Sequence, residues 1–257
     1  MSGAGTAVPT RLRRQWAGVA LLAVAGGVAG YLLLSEWWTT TQGGQWLLVA
    51  GSVAAGELHV LRRGLARNRV GATARPRPTL GVANLLTVAR GLLLAAVAGF
   101  LPLSRPMELG LWVPAGLYAA AVVLDYADGF VARRRGETTE LGSALDETFD
   151  TVGLFVAPLL AVSYAQLPVW YLAIPLAKPA YLLGLRAWSR LTGRRPGPLP
   201  ESRVRRPLAT LQMVVAAVAL SPLAAPPVTT AVATAAMLPF LGVFVRDWLA
   251  VTGYYSR

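Results

Sequence analysis

Apolar and polar positions along the chain form eight apolar stretches separated by short polar segments. A helix of about 20 apolar residues crosses the hydrocarbon core of a bilayer, and most of the stretches approach that length. The second stretch is the shortest, and its Glu57 and His59 are interpreted as interfacial residues rather than catalysts. The pattern therefore predicts an all-α fold, a polytopic membrane helical bundle. Its eight transmembrane helices are predicted at residues 16–34, 46–61, 80–103, 111–127, 149–165, 168–189, 207–223 and 228–250.

Basic residues alternate between the two ends of the predicted helices. If the N-terminus lies in the cytoplasm, the cytoplasmic loops hold nearly all the arginines and the opposite loops hold only Arg105. Positive residues collect on the cytoplasmic side of membrane proteins, so we expect the N-terminus inside, in the plasma membrane. The net charge of +12 then faces anionic lipid headgroups, and no nucleic-acid partner is expected.

The segment 62–79 is rich in Arg, Pro and Gly and divides the chain into two predicted parts. Residues 1–79 form an N-terminal two-helix membrane extension that ends in this basic linker. Residues 80–257 form a six-helix block. No internal repeat is evident.

Composition excludes several kinds of site. Only 14% of the residues are charged and 55% are apolar, whereas a soluble domain carries about 25% charged residues. The chain has no cysteine, which excludes disulfides, thiolate metal sites and cysteine nucleophiles. Its single histidine argues against a histidine-rich zinc site and against a Ser-His-Asp triad.

Four of the five aspartates lie within 26 residues, at the inner ends of the fourth and fifth predicted helices. Asp125 and Asp128 are three residues apart and Asp146 and Asp150 are four apart, so each pair shares a helix face. Because the two helices are antiparallel neighbours, the four carboxylates are predicted to form one cluster. Hard oxygen ligands indicate Mg²⁺ or Mn²⁺, as two ions that would hold a substrate's phosphates.

Small residues and charges beside the aspartates refine this prediction. Gly129, Ala132 and Gly142 leave the backbone nearly bare, which admits a bulky ligand, and Arg133 is placed to clamp a phosphate. The remaining acids of this region, Glu137 and Glu140, are assigned to solvent.

The run from Asp125 reads D-Y-A-D-G-F-V-A-R and, after eight further residues, G-S-A-L-D-E-T-F-D. It resembles the signature of the CDP-alcohol phosphotransferases at all eight fixed positions and every spacing, and the resemblance covers the block 80–257. It implies a phospholipid-biosynthesis enzyme that transfers a phosphatidyl-type group from a CDP-linked lipid, CDP-diacylglycerol or CDP-archaeol, to an alcohol and releases CMP. It also implies a homodimer.

The resemblance assigns roles to residues of this sequence. Metal ions would be held by Asp125, Asp128 and Asp146, with Asp150 binding the second metal or accepting the proton of the attacking hydroxyl. The cytidine diphosphate would be seated by Gly129, Ala132, Arg133 and Gly142. Asn84, Thr87 and Arg90 resemble the N-x-x-T-x-x-R of the family's first core helix and could reach the nucleotide, although Ala83 stands where the family usually has proline.

The acceptor alcohol is predicted to bind beside basic residues near the sixth and seventh helices. The candidates are Lys178, Arg203, Arg205 and Arg206, and they favour a phosphorylated acceptor, glycerol phosphate or inositol phosphate. Residues 203–214 are similar to a segment of phosphatidylglycerolphosphate synthases, although Leu208-Ala209 replaces the expected Lys-Thr pair.

Two other functions remain as alternatives. An intramembrane prenyltransferase also binds a lipid diphosphate through Mg²⁺ and aspartate pairs, but on two loops well separated in sequence. A non-enzymatic cation transporter would use the acids as an ion site, but broken helices and repeat symmetry would be expected of it.

Overall fold

The computed structural model describes residues 8–71, 75–135 and 138–253, except for the side chains of Ala132, Arg133 and Arg135. Within these ranges the chain forms eight α-helices and no strand. The helices are α1 (Thr10–Trp37), α2 (Thr40–Gly64), α3 (Gly81–Ala98), α4 (Trp112–Arg135), α5 (Glu140–Ser163), α6 (Ala173–Thr192), α7 (Arg205–Leu220) and α8 (Pro226–Val251). The all-helical prediction is therefore confirmed.

Four helical segments are long and apolar enough to cross a membrane: Thr10–Trp37, Gly81–Ala98, Glu108–Val131 and Pro226–Val251. Helix α7 has only 16 residues, and Glu57 and Lys178 interrupt the apolar stretches of α2 and α6. Each predicted span overlaps one helix, and the count of eight spans stays a prediction.

The two helices of the N-terminal extension form a hairpin. The side chain of Thr39 caps α2 by accepting a hydrogen bond from the backbone N–H of Gln42 at 3.2 Å, which satisfies one of the free donors at the helix start. Further along, the indole N–H of Trp16 in α1 donates to the carbonyl of Leu58 in α2 at 3.0 Å. A side-chain cap thus sets the start of α2 at the turn, and the Trp16 hydrogen bond joins the two helices near the opposite end of the hairpin.

The hairpin is also joined to both ends of the next helix, α3. The indole N–H of Trp46 in α2 donates to the carbonyl of Ala96 in α3 at 3.0 Å. Gln15 of α1 accepts a hydrogen bond from the backbone N–H of Leu80 at 2.8 Å. Because α3 packs against both α2 and α4, the extension contacts the same helix that faces the aspartates.

The chain divides into two compact units, residues 1–156 and 157–257, with the division inside α5. In the second unit, Gln212 of α7 accepts a hydrogen bond from the Tyr171 hydroxyl at 2.7 Å and donates to the carbonyl of Ala236 in α8 at 2.9 Å. The Thr229 hydroxyl of α8 donates to the carbonyl of Gln166 at 2.6 Å. Buried polar side chains therefore tie α7 and α8 to the segment before α6.

Candidate active site

Three aspartates from two helices converge in the first unit. Asp125 and Asp128 of α4 and Asp146 of α5 each place one carboxylate oxygen within 4.8 Å of the others. We refer to these three residues as the aspartate cluster. Asp150 lies one turn along α5 from Asp146 and is joined to the cluster through a shared arginine.

That arginine is Arg90, whose side chain is only 3% exposed. Its guanidinium forms ion pairs with Asp125, with Asp146 at 3.2 Å and with Asp150 at 3.2 Å. It also donates to the backbone carbonyl of Asp146 at 3.1 Å. A single buried cation of α3 thereby offsets the repulsion among carboxylates that α4 and α5 bring together.

Thr87, one turn before Arg90, holds the most buried member of the cluster. Its hydroxyl donates to Asp128 Oδ2 at 2.7 Å, and Asp128 is only 5% exposed. A buried carboxylate needs such a donor, because an unsatisfied one would carry its full desolvation cost.

Asn84 lies one turn before Thr87 on α3. Its side chain binds the segment before α3 and the residue before α5, and not the carboxylates. Its amide donates to Asn68 Oδ1 at 3.0 Å and to the Thr139 hydroxyl at 3.2 Å. The Thr139 oxygen in turn accepts the backbone N–H of Gly142 at 2.9 Å, which satisfies a donor in the first turn of α5. Asn84 therefore positions the start of α5.

Glycine at position 142 is what allows this close approach. A β-carbon there would collide with Asn84 Oδ1 and lie 3.2 Å from the Thr139 hydroxyl oxygen. The asparagine is committed to two buried hydrogen bonds and cannot move away freely. Glycine thus lets α5 sit against α3 at the level of the aspartates.

The donor set suits a hard divalent cation. Oxygens that bind one Mg²⁺ lie about 3–4 Å apart, since each is about 2.1 Å from the ion. The carboxylate oxygens of the aspartate cluster are within 4.8 Å of one another, so small side-chain rotations would bring them onto one ion. Thr87 orients one of these carboxylates in advance.

Several predicted residues need separate description. Gly129 follows Asp128 on α4 and is half-buried. The side chains of Ala132 and Arg133, and the whole of Glu137, lie outside the described residues. The assignment of Glu140 to solvent is wrong, because its carboxylate pairs with Arg69 Nε at 3.2 Å and its backbone N–H donates to the Arg69 carbonyl at 3.0 Å.

The interpretation of Glu57 as an interfacial residue is also wrong. It is only 6% exposed and lines a small apolar cavity with side chains of α2, α3 and α5. Glu57 lies on the face of α2 that packs against α3. Sequence alone does not show this face, since both faces of α2 are largely apolar.

The second unit contains a cationic centre that sequence reasoning found only in part. Arg205, a predicted residue, binds Asp247 of α8 at 2.7 Å and the carbonyl of Pro200 at 2.8 Å. Asp247 is 4% exposed and also pairs with Arg246 at 2.7 Å. Asp247 and Arg246 were missed because they lie 42 and 41 residues from Arg205 in a helix predicted only to span the membrane.

The other predicted acceptor residues, Lys178, Arg203 and Arg206, are exposed.

Comparison with known proteins supports the resemblance seen in the sequence. The family model of CDP-alcohol phosphatidyltransferases matches residues 80–246. Curated relatives named CDP-diacylglycerol–glycerol-3-phosphate 3-phosphatidyltransferase include one from Pectobacterium atrosepticum, 34% identical over 91 residues, 33% of this chain and 49% of that protein. The protein from Salmonella choleraesuis is 29% identical over 143 residues, 53% of this chain and 74% of its own length. That of Escherichia coli strain K12 is 30% identical over 113 residues, 41% of this chain and 60% of its length.

The chain thus spans about half the length of the first of these relatives. No solved structure matches it. The family model alone covers more than half of the chain and includes all four aspartates of α4 and α5. On this match, the chain belongs to the CDP-alcohol phosphatidyltransferase family.

Proposed function

We propose that this protein transfers a phosphatidyl-type group from a CDP-linked lipid, CDP-diacylglycerol or CDP-archaeol, to an alcohol and releases CMP. The convergence of Asp125, Asp128 and Asp146 around Arg90 is the observation that carries the proposal. Family membership favours this transfer over the prenyltransferase and cation-transporter alternatives.

The aspartate cluster would hold Mg²⁺ or Mn²⁺, with Asp150 available to a second ion. When bound, these ions would neutralise the diphosphate and the charge that leaves with CMP. Gly129 and Gly142 leave room for the nucleotide near the backbone. Arg133 is proposed, from the family signature, to contact the diphosphate.

Asp150 is the proposed general base. Its carboxylate is about half exposed, so an acceptor hydroxyl could reach it. The hydroxyl oxygen would form a bond to the phosphorus that carries the lipid, and the bond from that phosphorus to the bridging oxygen would break. The hydroxyl proton passes to Asp150, and CMP leaves with the bonding electron pair.

The acceptor is proposed to be a phosphorylated alcohol, with glycerol phosphate favoured over inositol phosphate. The named activity of the curated relatives supports glycerol 3-phosphate. The cationic centre of Arg205 and Arg246 supports an anionic acceptor, because guanidinium groups bind phosphate through paired hydrogen bonds. Buried Asp247 fixes both arginines. We further propose a homodimer in the plasma membrane, with the active site facing the cytoplasm.

The test is a membrane assay that offers labelled CDP-lipid and a panel of alcohols. We expect CMP release with glycerol 3-phosphate and none from the variant Asp146→Asn with any alcohol, because the amide cannot supply an anionic ligand. The neighbouring Glu147→Gln, which makes the same chemical change outside the cluster, should retain activity. Activity of Asp146→Asn near that of the wild type would contradict the metal assignment.

A further inference from the structure

Glu57 is a buried acid outside the matched family region. Its side chain comes from α2 of the extension, it is only 6% exposed, and neither carboxylate oxygen has a hydrogen-bond partner among the described residues. The apolar cavity that it lines with Leu58, Val88 and Phe149 is too narrow to admit a water molecule. An acid in such a place is costly to bury unless it has a partner or a role.

The carboxylate lies against α3 beside Arg90. A β-carbon at Gly91, the next residue after Arg90, would be only 3.0 Å from Glu57 Oε2. The positive charge of Arg90 acts electrostatically on Glu57. Because Gly91 has no side chain, the carboxylate of Glu57 can lie close to the backbone of α3 at the residue that follows Arg90.

Arg90 has an unsatisfied donor of its own. Its Nη atoms face the aspartates, whereas its buried Nε has no hydrogen-bond partner among the described residues. Glu57 thus offers a buried acceptor and Arg90 a buried donor of opposite charge, on adjacent helices, and each would satisfy the other if they came into contact.

We propose that Glu57 is a positioning residue that holds Arg90 when divalent ions bind the aspartate cluster. Arg90 and the ions compete for the carboxylates of Asp125 and Asp146. As an ion takes those carboxylates, the guanidinium loses anionic partners while it stays buried, and Glu57 replaces them. The extension therefore supplies an acid that tunes the ion affinity of the family's core. This inference rests on the proposed metal-binding role of the cluster.

The effect of removing the charge has a definite sign. In Glu57→Gln the carboxylate is replaced by a neutral amide of the same shape, so Arg90 depends more strongly on the aspartates. It then competes better with the ion, and the total negative charge of the site is lower. Both effects weaken ion binding, and we expect at least a threefold increase in the Mn²⁺ dissociation constant, on the order expected for loss of a nearby charge.

The experiment measures Mn²⁺ binding to the purified full-length protein in detergent, without substrates, from the spectroscopic signal of free Mn²⁺. Glu36→Gln, the same change at an exposed position of α1, is the matched control and should bind like the wild type. Melting curves of all variants are recorded in parallel. A purely structural Glu57 would alter melting and leave the affinity of the folded protein unchanged.

An increase of less than threefold in the Mn²⁺ dissociation constant of Glu57→Gln would overturn the proposal. If that variant does not fold, Glu57→Met decides by the same criterion, since it fills the apolar cavity without a charge. A wild-type protein that binds no Mn²⁺ would overturn the inference together with the metal assignment. A wild-type protein that binds Mn²⁺ but releases no CMP would count against the proposed transfer and leave the inference standing.

Discussion

Arg90 is the residue through which α3 acts on the acids of α4 and α5. It reaches three carboxylates and one backbone carbonyl while only 3% of its side chain is exposed. Replacing Arg90 would leave three carboxylates close together without a counter-charge. Removing one partner of a buried charge pair costs much more stability than replacing both partners by apolar residues. Thr87 adds a neutral donor at the most buried acid. The carboxylates of α4 and α5 are therefore held in place by side chains of a third helix, α3.

Arg205 offers a prediction about the acceptor. Arg205→Ala removes the guanidinium that Asp247 holds in place, so the KM for glycerol 3-phosphate should rise about tenfold or more, the loss of a charge-assisted hydrogen bond or two. The KM for the CDP-lipid should change less than about twofold under the same reasoning. Steady-state kinetics in mixed micelles separate the two constants.

Arg194→Ala is the matched control, because it removes an exposed arginine of the polar segment before α7. Its acceptor KM should equal that of the wild type. If both substitutions raised the acceptor KM equally, Arg205 would contribute only to the overall positive charge of the surface and would not bind the acceptor specifically.

The spacing of residues predicted part of this site. Aspartates three and four residues apart must share a helix face, so the sequence placed Asp125 with Asp128 and Asp146 with Asp150. The contact of Asn84 with Asn68 and Thr139 is different, because it joins residues 16 and 55 positions apart. No local pattern encodes such a contact, and it becomes visible only when α3, α5 and the preceding segment pack.

At the scale of the helices, close approach of α3 and α5 depends on glycine at two levels. Gly142 faces Asn84, and Gly153, three turns further along α5, faces Leu94 of α3. A β-carbon at Gly153 would lie 3.2 Å from a methyl group of Leu94. The two helices thus stay in contact from the aspartates into the apolar interior.

Gly142→Ala should therefore destabilise the protein. The added methyl group collides with an asparagine fixed by two hydrogen bonds, and overpacking of this kind costs about 1–3 kcal/mol. Gly51→Ala is the matched control, because among the described residues no atom outside its own stretch of α2 lies within 4 Å of a β-carbon at that position. The control should be neutral or more stable by about 0.5–1 kcal/mol. Denaturant titration of both variants in detergent measures the difference, and equal stability would show that α5 can shift without cost.

Helix positions were largely predictable, whereas helix ends were not. The second predicted span, 46–61, corresponds to α2, which is longer at both ends, Thr40–Gly64. Its start is set by the Thr39 cap, and its last turn includes Arg62, whose guanidinium lies 5.3 Å from the Trp16 ring. Hydrophobicity locates the apolar middle of a helix, while caps and side-chain contacts set its polar ends.

At the scale of the whole molecule, the positions of charged loops predict an orientation in the membrane. The chain has no cysteine, so single cysteines can be introduced without background. Ser104→Cys, at an exposed position between α3 and α4, should react with a membrane-impermeant maleimide in intact cells. Glu201→Cys, between α6 and α7, should react only after permeabilisation.

Labelling of both cysteines in intact cells, or of Glu201→Cys alone, would contradict the predicted orientation. Composition predicted the membrane class and the helical fold at this scale. It did not predict how the extension is joined to the rest. The joining polar groups are single side chains of α1 and α2, Gln15 and Trp46, and residues of the predicted linker, Asn68 and Arg69.

The hydrogen bond from Asn84 to Asn68 and the ion pair of Arg69 with Glu140 have a practical consequence for chimeric enzymes. If the N-terminal extension (residues 1–79) is transplanted onto a relative, Arg69 loses its ion-pair partner unless the recipient has an acid at the position of Glu140. The recipient would then carry an unpaired guanidinium where the extension meets the first turn of α5. A functional exchange must therefore transfer Glu140 together with residues 1–79, across the junction at residue 80, and keep an asparagine at position 84 opposite Asn68.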